Sequence, residues 1–396
     1  MSDRSGTDRT GRTDPSAMLP SVVGADAIRM LLGRAECPGD LGAARDAYVG
    51  KTVLITGAGG TIGAELARQM LACAPTRLIL FELNEFMLFT LDRKLRHLTG
   101  PDGPDVVPVL GNVTDDHQVR RVLREWQPDI ILHAAAYKHV TMVEANPAIG
   151  LRNNVLGTRV LARAAQAEGV ARFILISSDK AVRPKGVMGA SKRLAEIVVQ
   201  DLASRGGRTV FAAVRFGNVL GSSGSVLPLF HEQIARGGPL EVTHPDATRY
   251  FMTVGEAVAL VLRGGALAEG GDILSLDMGP PLRILDLAKQ VLWQTGHTLT
   301  QGHAIRPQDI GVVFTGLRPG EKLHEEPPHF GGTRSAAHPM LFVCQDQPPS
   351  QLEVAVALRA LTQAISDGDD DTARHIALQW ATTHNKGNKA GVGAAM

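Results

Sequence analysis

Thr56-Gly57-Ala58-Gly59-Gly60-Thr61-Ile62-Gly63 decides the fold of this chain of 396 residues. An apolar run, 52–56, leads into it and an amphipathic stretch, 62–73, leads out. Glycines at this spacing allow a tight turn, close backbone approach to a pyrophosphate and close helix–strand packing, with the helix N-terminus facing the phosphates. Gly57, Gly60, Thr61, Ile62 and Gly63 are therefore the expected phosphate cradle. The next apolar run, 77–82, ends on Glu82, roughly 20 residues on, where a carboxylate takes the ribose hydroxyls. It would repel a 2′-phosphate, and no arginine follows at once, so NAD is expected rather than NADP. Further out, Gly111-Asn112-Val113-Thr114-Asp115 follows the third strand, placing Asn112 and Val113 at the cofactor. Asp115 suits the adenine amino group and a helix N-cap equally. The fourth strand runs out through His133-Ala134-Ala135-Ala136, whose small side chains let a cofactor lie against backbone.

The same rhythm continues. Strands are expected at 52–56, 77–82, 106–110, 129–134, 172–177 and 209–216. Helices are expected at 62–73, 84–98, 116–126, 151–168 and 188–204. Near-continuous apolar strands alternating with helices predict an α/β fold: a Rossmann-type doubly wound parallel sheet with a smaller C-terminal substrate lobe. The expected division is a disordered stretch 1–20, an arm 21–50 with a short helix at 24–34, and the nucleotide domain 51–220. A segment 221–345 that is mainly substrate-binding lobe, C-terminal helices in 346–385 and a flexible tail 386–396 complete it. The lobe begins at the loop Gly221-Ser222-Ser223-Gly224-Ser225 and is expected to hold helices near 226–236, 254–268 and 283–295 and a strand near 240–243. A final helix pair is expected at 350–365 and 370–383.

Composition narrows the function. Lys and Arg total 41 against 40 Asp and Glu, so no global field draws nucleic acid or an anionic membrane. Aromatic content of 4% is too low for base-stacking surfaces. No apolar run reaches the about 20 residues that span a bilayer, and the polar start is no secretory signal. Cys37, Cys73 and Cys344 lie far apart without metal spacing, so no metal is expected and a reducing cytoplasm is.

The chemistry is expected beyond the strand ends, where open α/β sheets bind ligands. Asn154, Ser178, Asp179, Lys180, Met188 and Lys192 all fall there. Met188 and Lys192 are four apart on one helix face, so Lys192 can reach a nicotinamide ribose. Short-chain dehydrogenases usually carry tyrosine four residues before that lysine; methionine has no proton to exchange. Asp179-Lys180 supplies both missing roles if burial raises the acid and lowers the lysine. That points to oxidation, loss of water and reduction in one site.

With these residues in hand, the chain resembles the UDP-N-acetylglucosamine 4,6-dehydratases, extended short-chain dehydrogenase/reductases of the polysaccharide-biosynthesis group. The resemblance runs from about Leu31 to about Pro339. It rests on the glycine run, Ala136-Tyr137-Lys138-His139-Val140, Asn154-Val155-Leu156-Gly157-Thr158, Ser178-Asp179-Lys180-Ala181 and Arg215-Phe216-Gly217-Asn218-Val219. Gly224-Ser225-Val226-Leu227-Pro228, Thr248-Arg249-Tyr250-Phe251-Met252-Thr253 and Gly316-Leu317-Arg318-Pro319-Gly320-Glu321-Lys322 complete it. Methionine at 188 looks like the branch that retains configuration at C5. Members often carry N-terminal transmembrane helices; this chain is expected to be the soluble catalytic half. Where the family often has threonine, Ser178 keeps the hydroxyl.

The resemblance implies that bound NAD+ takes hydride from C4 of the sugar, Lys180 removes the acidified C5 proton, Asp179 protonates the leaving 6-hydroxyl, and hydride returns at C6. Ser178, relayed by Lys192 or water, is the expected acceptor of the 4-hydroxyl proton. It also implies that Asn218, Arg249, Arg318 and Glu321 hold the UDP-sugar, and a homo-oligomer. Lys138 and His139 are expected beside the hexose, where a merely structural histidine is as good a reading. A sugar-nucleotide 4-epimerase and a non-catalytic NAD-binding regulator are the rival functions. The first usually needs the absent tyrosine, and the second expects erosion of Asp179-Lys180.

Overall fold

A computed structural model describes residues 30–36, 41–100, 103–300, 306, 308–327, 332–335, 337–346 and 348–383. The segments 1–20, 24–29 and 386–396 and Cys37, for which the sequence carries expectations, lie outside them; residues 30–32 are helical.

The main sheet is built from β1 (Thr52–Thr56), β2 (Arg77–Glu82), β3 (Asp105–Leu110), β4 (Ile130–His133), β5 (Arg172–Ile176) and β6 (Val210–Arg215). These pair in parallel in the order β3-β2-β1-β4-β5-β6, and the strand Asp272–Leu276 pairs parallel to β6. Two antiparallel pairings, by Leu341–Cys344 and then Gly332–Arg334, finish that edge. This is the doubly wound order expected. The sequence order reverses between β1 and β4, so a crevice opens at their carboxyl ends, where Thr56 pairs with His133. The inner strands are buried on both faces, Val53, Leu54 and Ile55 at no more than 1% exposure, which explains their unbroken apolar runs. One core packs around Leu54, Phe173 and Phe211 and the other around Ile55, Leu80 and Val214.

Polar side chains cap two of the first three helices of this domain. α1 is Thr61–Leu71, α2 is Glu85–Thr99 and α3 is Asp116–Trp126. Asn84 accepts from Met87 N at the start of α2, and Asp115 accepts from Gln118 N at the start of α3. The expected helix 151–168 is instead a π-helical turn, Arg152–Gly157, running into the α-helix Thr158–Ala167. α-Helix Val187–Ser204, called the central helix below, follows β5.

The segment 221–345 does not form a lobe throughout, because it lends three strands to the main sheet. Its remainder gathers a third core around Leu227, Phe230, Leu240, Phe251 and Leu287. A small sheet there joins Thr298–Thr300, Asp309–Phe314 and Leu240–Val242. The closing helices, Gln351–Ser366 and Asp370–Thr383, pack on the central helix rather than on this lobe.

Candidate active site

Two adjoining cavities occupy the carboxyl end of the sheet. The first, about 460 Å³, is lined by Gly57, Gly60, Thr61, Ile62, Gly63, Ala134, Ala136, Met188 and Lys192 among others. The second, about 270 Å³, runs on between Lys138, Glu144, Lys185, Arg249, Arg318 and Glu325. They share Lys138, His139, Lys180, Met188, Asn218, Gly224 and Ser225.

The first cavity fits a dinucleotide. Gly57 has φ +63°, and a Cβ there would lie 2.7 Å from the backbone of Ala135. A side chain on Gly63 would strike the carbonyl of Gly57. α1 begins with no side-chain cap, leaving its first N–H groups for an anion. Glu82 is 8% exposed, not a surface residue; it accepts from Gly59 N at 3.0 Å and Asn84 N at 2.9 Å, bracing the turn. Ser223 reaches Thr61 at 3.2 Å, so the loop 221–225 lies over the cradle.

Three expected cofactor residues act differently. Val113 is 4% exposed and packs beside Gly157, so its side chain is core. Asn112 turns its oxygen to Thr114 N and Oγ1, both 2.9 Å, and closes its own loop. Neither lines the cavity. Asn154, from the π-helical turn, accepts from Tyr137 N at 2.8 Å and donates to Tyr137 O and Ser191 Oγ. It shapes the wall instead of facing the cavity. Of Asp115's two readings, the structure shows the N-cap. His133 lies behind this wall at 1% exposure, 2.7 Å from Thr56 Oγ1 and 2.9 Å from Thr158 Oγ1. Burial, aided by Lys192, pushes its pKa down to about 3. Thr158 donates to Asn154 O, so the network assigns Nε2–H to a neutral imidazole.

At the junction, a single 3₁₀ turn, Asp179–Ala181, follows β5, with Ser178 as its cap. Lys180 Nζ lies 3.0 Å from Asp179 Oδ1, 3.0 Å from Asn218 Oδ1 and 3.6 Å from Glu325 Oε1. Here the expectation is corrected. Burial by itself would lower the lysine, but Asp179 and Glu325 outweigh both burial and Arg249, and its pKa is raised. At rest Lys180 is an ammonium ion.

Asp179 is 0% exposed and lines neither cavity. Ser178 donates to its Oδ1 at 2.9 Å, while its Oδ2 has no hydrogen-bond partner among the described residues. The Cβ position of Gly217, a cavity residue, is 2.9 Å from that oxygen, so glycine keeps this approach clear.

Met188 is 3% exposed and faces both cavities. Lys192 Nζ donates to Ile176 O at 3.0 Å, and burial pushes its pKa down to about 8 against the pull of Glu196. Lys138 and His139 line both cavities, and burial lowers each, with Lys138 adding to the effect on His139. Asn218 holds Lys180. Arg249 donates to Thr248 O and Leu323 O and lies 3.7 Å from Glu325. Glu321 accepts from Arg318 N at 3.1 Å, closing the turn that carries both to the second cavity.

Sequence reasoning missed Glu144, Lys185, Lys322 and Glu325 in that cavity. Glu325 had a faint signal, three residues beyond Lys322 in the motif at 316–322. Glu144 had none: it accepts from Val187 N at 2.5 Å and from Arg374 at 2.7 Å, partners brought only by folding.

The family described as "Polysaccharide biosynthesis protein" matches residues 53–338, from β1 through the second cavity. The chain belongs to that family. Among curated relatives of the polysaccharide biosynthesis proteins, it is 46% identical to the capsular polysaccharide biosynthesis protein CapD of Staphylococcus aureus, over 76% of this chain and 48% of that one. The chain thus spans about half the length of the first curated relatives it matches. A UDP-glucose 4-epimerase of Rickettsia bellii is 33% identical over 70% of this chain and 77% of its own. A UDP-N-acetylglucosamine 4,6-dehydratase (inverting) of Campylobacter jejuni is 30% identical over 69% and 76%. Among the described residues, no helix is long and apolar enough to cross a membrane.

Proposed function

We propose that this chain is an NAD-dependent sugar-nucleotide 4,6-dehydratase that acts on UDP-N-acetylglucosamine and retains configuration at C5. The observation that carries the reading is Lys180, at the junction of the two cavities, paired with the buried Asp179 just behind it, with methionine in place of tyrosine. One proton shifted along that 3.0 Å bond turns the pair into a neutral amine and a carboxylic acid. These are the base and acid that an elimination needs. Lys180 then takes the C5 proton and Asp179 gives its proton to the departing 6-hydroxyl, leaving ammonium and carboxylate. As C6 is reduced the Lys180 ammonium protonates C5 on the same face, and the proton lost from the 4-hydroxyl restores that ammonium, so the pair ends as it began. A 4-epimerase needs no acid at C6, and Met188 offers it no proton at C4.

NAD, when bound, would supply a reversible hydride carrier, accepting from C4 and giving the hydride back at C6. Lys192, with its pKa near 8, holds the ribose side and relays the 4-hydroxyl proton with Ser178. The second cavity carries six cations, Lys138, Lys180, Lys185, Arg249, Arg318 and Lys322, against three carboxylates, Glu144, Glu321 and Glu325. That excess suits a sugar diphosphate. A homo-oligomer in the cytoplasm completes the proposal.

Incubation with UDP-N-acetylglucosamine and NAD should yield a sugar nucleotide lighter by one water. In D2O, deuterium should enter at C5 with the parent configuration kept. A product of unchanged mass and inverted C4 would establish the epimerase instead. Asp179→Asn should lower dehydration about 10²–10⁴-fold while NAD still binds.

A further inference from the structure

Glu325 is a buried carboxylate among three cations. Its side chain is 3% exposed, and its Oε1 lies 3.6 Å from Lys180 Nζ and 3.7 Å from Arg249 Nε. Its Oε2 lies 3.7 Å from Lys322 Nζ and has no hydrogen-bond partner among the described residues. Lys322 is tied down separately, donating to Val182 O at 2.8 Å. No other group on the second cavity touches both Lys180 and Arg249 in this way among the described residues.

We propose that Glu325 is a positioning residue that holds Lys180 against Asp179 and strengthens it as a base by stabilising its ammonium form. A carbon acid beside a ketone is weak, so the base that takes its proton gains from a neighbour that favours the charge it is acquiring. Glu325 is that neighbour, placed before the reaction begins and shielded from water, where charge interactions are strong. Its other cation, Arg249, has the opposite effect on Lys180. The balance between Glu325 and Arg249 thus tunes the lysine in addition to Asp179. The other charged or titratable groups around this cluster are Lys322, Tyr250, Glu326 and, elsewhere on the cavity, Lys138, His139, Glu144, Lys185, Arg318 and Glu321. The inference rests on the dehydratase reading only for its kinetic arm.

The test uses the full chain as wild type, Glu325→Gln, Glu325→Asp and Arg249→Gln. Brief acetylation with acetic anhydride across a pH series, read on the Lys180 peptide by mass spectrometry, reports when that lysine loses its proton. The labelling midpoint should move to lower pH in Glu325→Gln, stay near wild type in Glu325→Asp and move to higher pH in Arg249→Gln. The rising limb of kcat against pH for dehydration should move the same way. In Glu325→Gln kcat should fall about 10²-fold with KM little changed.

Coincident midpoints in every variant that folds overturn the proposal, whatever happens to activity. Should Glu325→Gln fail to fold, the upward displacement in Arg249→Gln, or its absence, decides between the same two results. Displaced midpoints in a protein that dehydrates no UDP-sugar uphold the role of Glu325 and sink the dehydratase reading alone.

Discussion

His133 shows how one buried side chain ties acid stability to the cofactor wall. Its imidazole joins Thr56, at the head of the glycine turn, to Thr158 and through it to Asn154, which holds Tyr137. Both threonine bonds suit a neutral ring. Its pKa is about 3 in the folded chain and about 6.5 unfolded, so below pH 6.5 the unfolded state binds a proton the folded state refuses. The stabilisation is therefore complete above pH 6.5 and is lost progressively as pH falls toward 3. Between pH 7 and pH 5 this one group should cost about 2 kcal/mol. Urea denaturation at the two pH values measures it, and in His133→Gln that part of the difference should vanish.

At the scale of elements, the central helix presents a puzzle that its sequence states but does not solve. Every residue from Val187 to Leu202 is buried, including Arg193, Glu196, Gln200 and Asp201. A helix so mixed in polarity would normally keep one face in water. Here Arg215, at the end of β6, forks onto Glu196 at 2.7 and 2.6 Å, and Asp346 meets Arg215 at 2.7 Å. Ser177 donates to Glu196 at 2.5 Å, so the network ends one residue from Ser178 and two from Asp179. Such a network gives little net stability over an apolar core, yet breaking it strands buried charge. Glu196→Ala should therefore lower unfolding free energy by about 3–5 kcal/mol, read as a lower denaturant midpoint.

For the whole molecule, the C-terminal helices are what cover that helix and touch the site. Ala373, Ala377 and Ala381, each 0% exposed, form the small-residue stripe that lets Asp370–Thr383 come close. From the same helix Arg374 reaches both Glu144 Oε2 and its carbonyl. Glu144 in turn holds Val187 N, beside Met188, and packs against Gly320. A contact at the far end of the chain thus sets one wall of the second cavity. Arg374→Ala should raise KM for the sugar nucleotide more than it lowers kcat, because Glu144 is loosened while Asp179 and Lys180 keep their bonds. Steady-state kinetics separate the two.

The glycine run, the order of the main-sheet strands through residue 216, and the placing of Met188 and Lys192 on one helix face were all legible in the sequence. Each is a local matter: spacing along one strand, turn or helix face decides it. Only the tertiary structure decided that Lys180 rests charged, since Glu325 comes from a distant loop and charge state depends on whatever folds against a group. The same holds for Asn154, which spacing placed at the cofactor and folding turned onto Tyr137. It holds for Asp272–Leu276, a short apolar run that reads as lobe until β6 offers it an edge to pair with. Periodicity reports which residues share a face; it carries no information on which distant charge will meet them there.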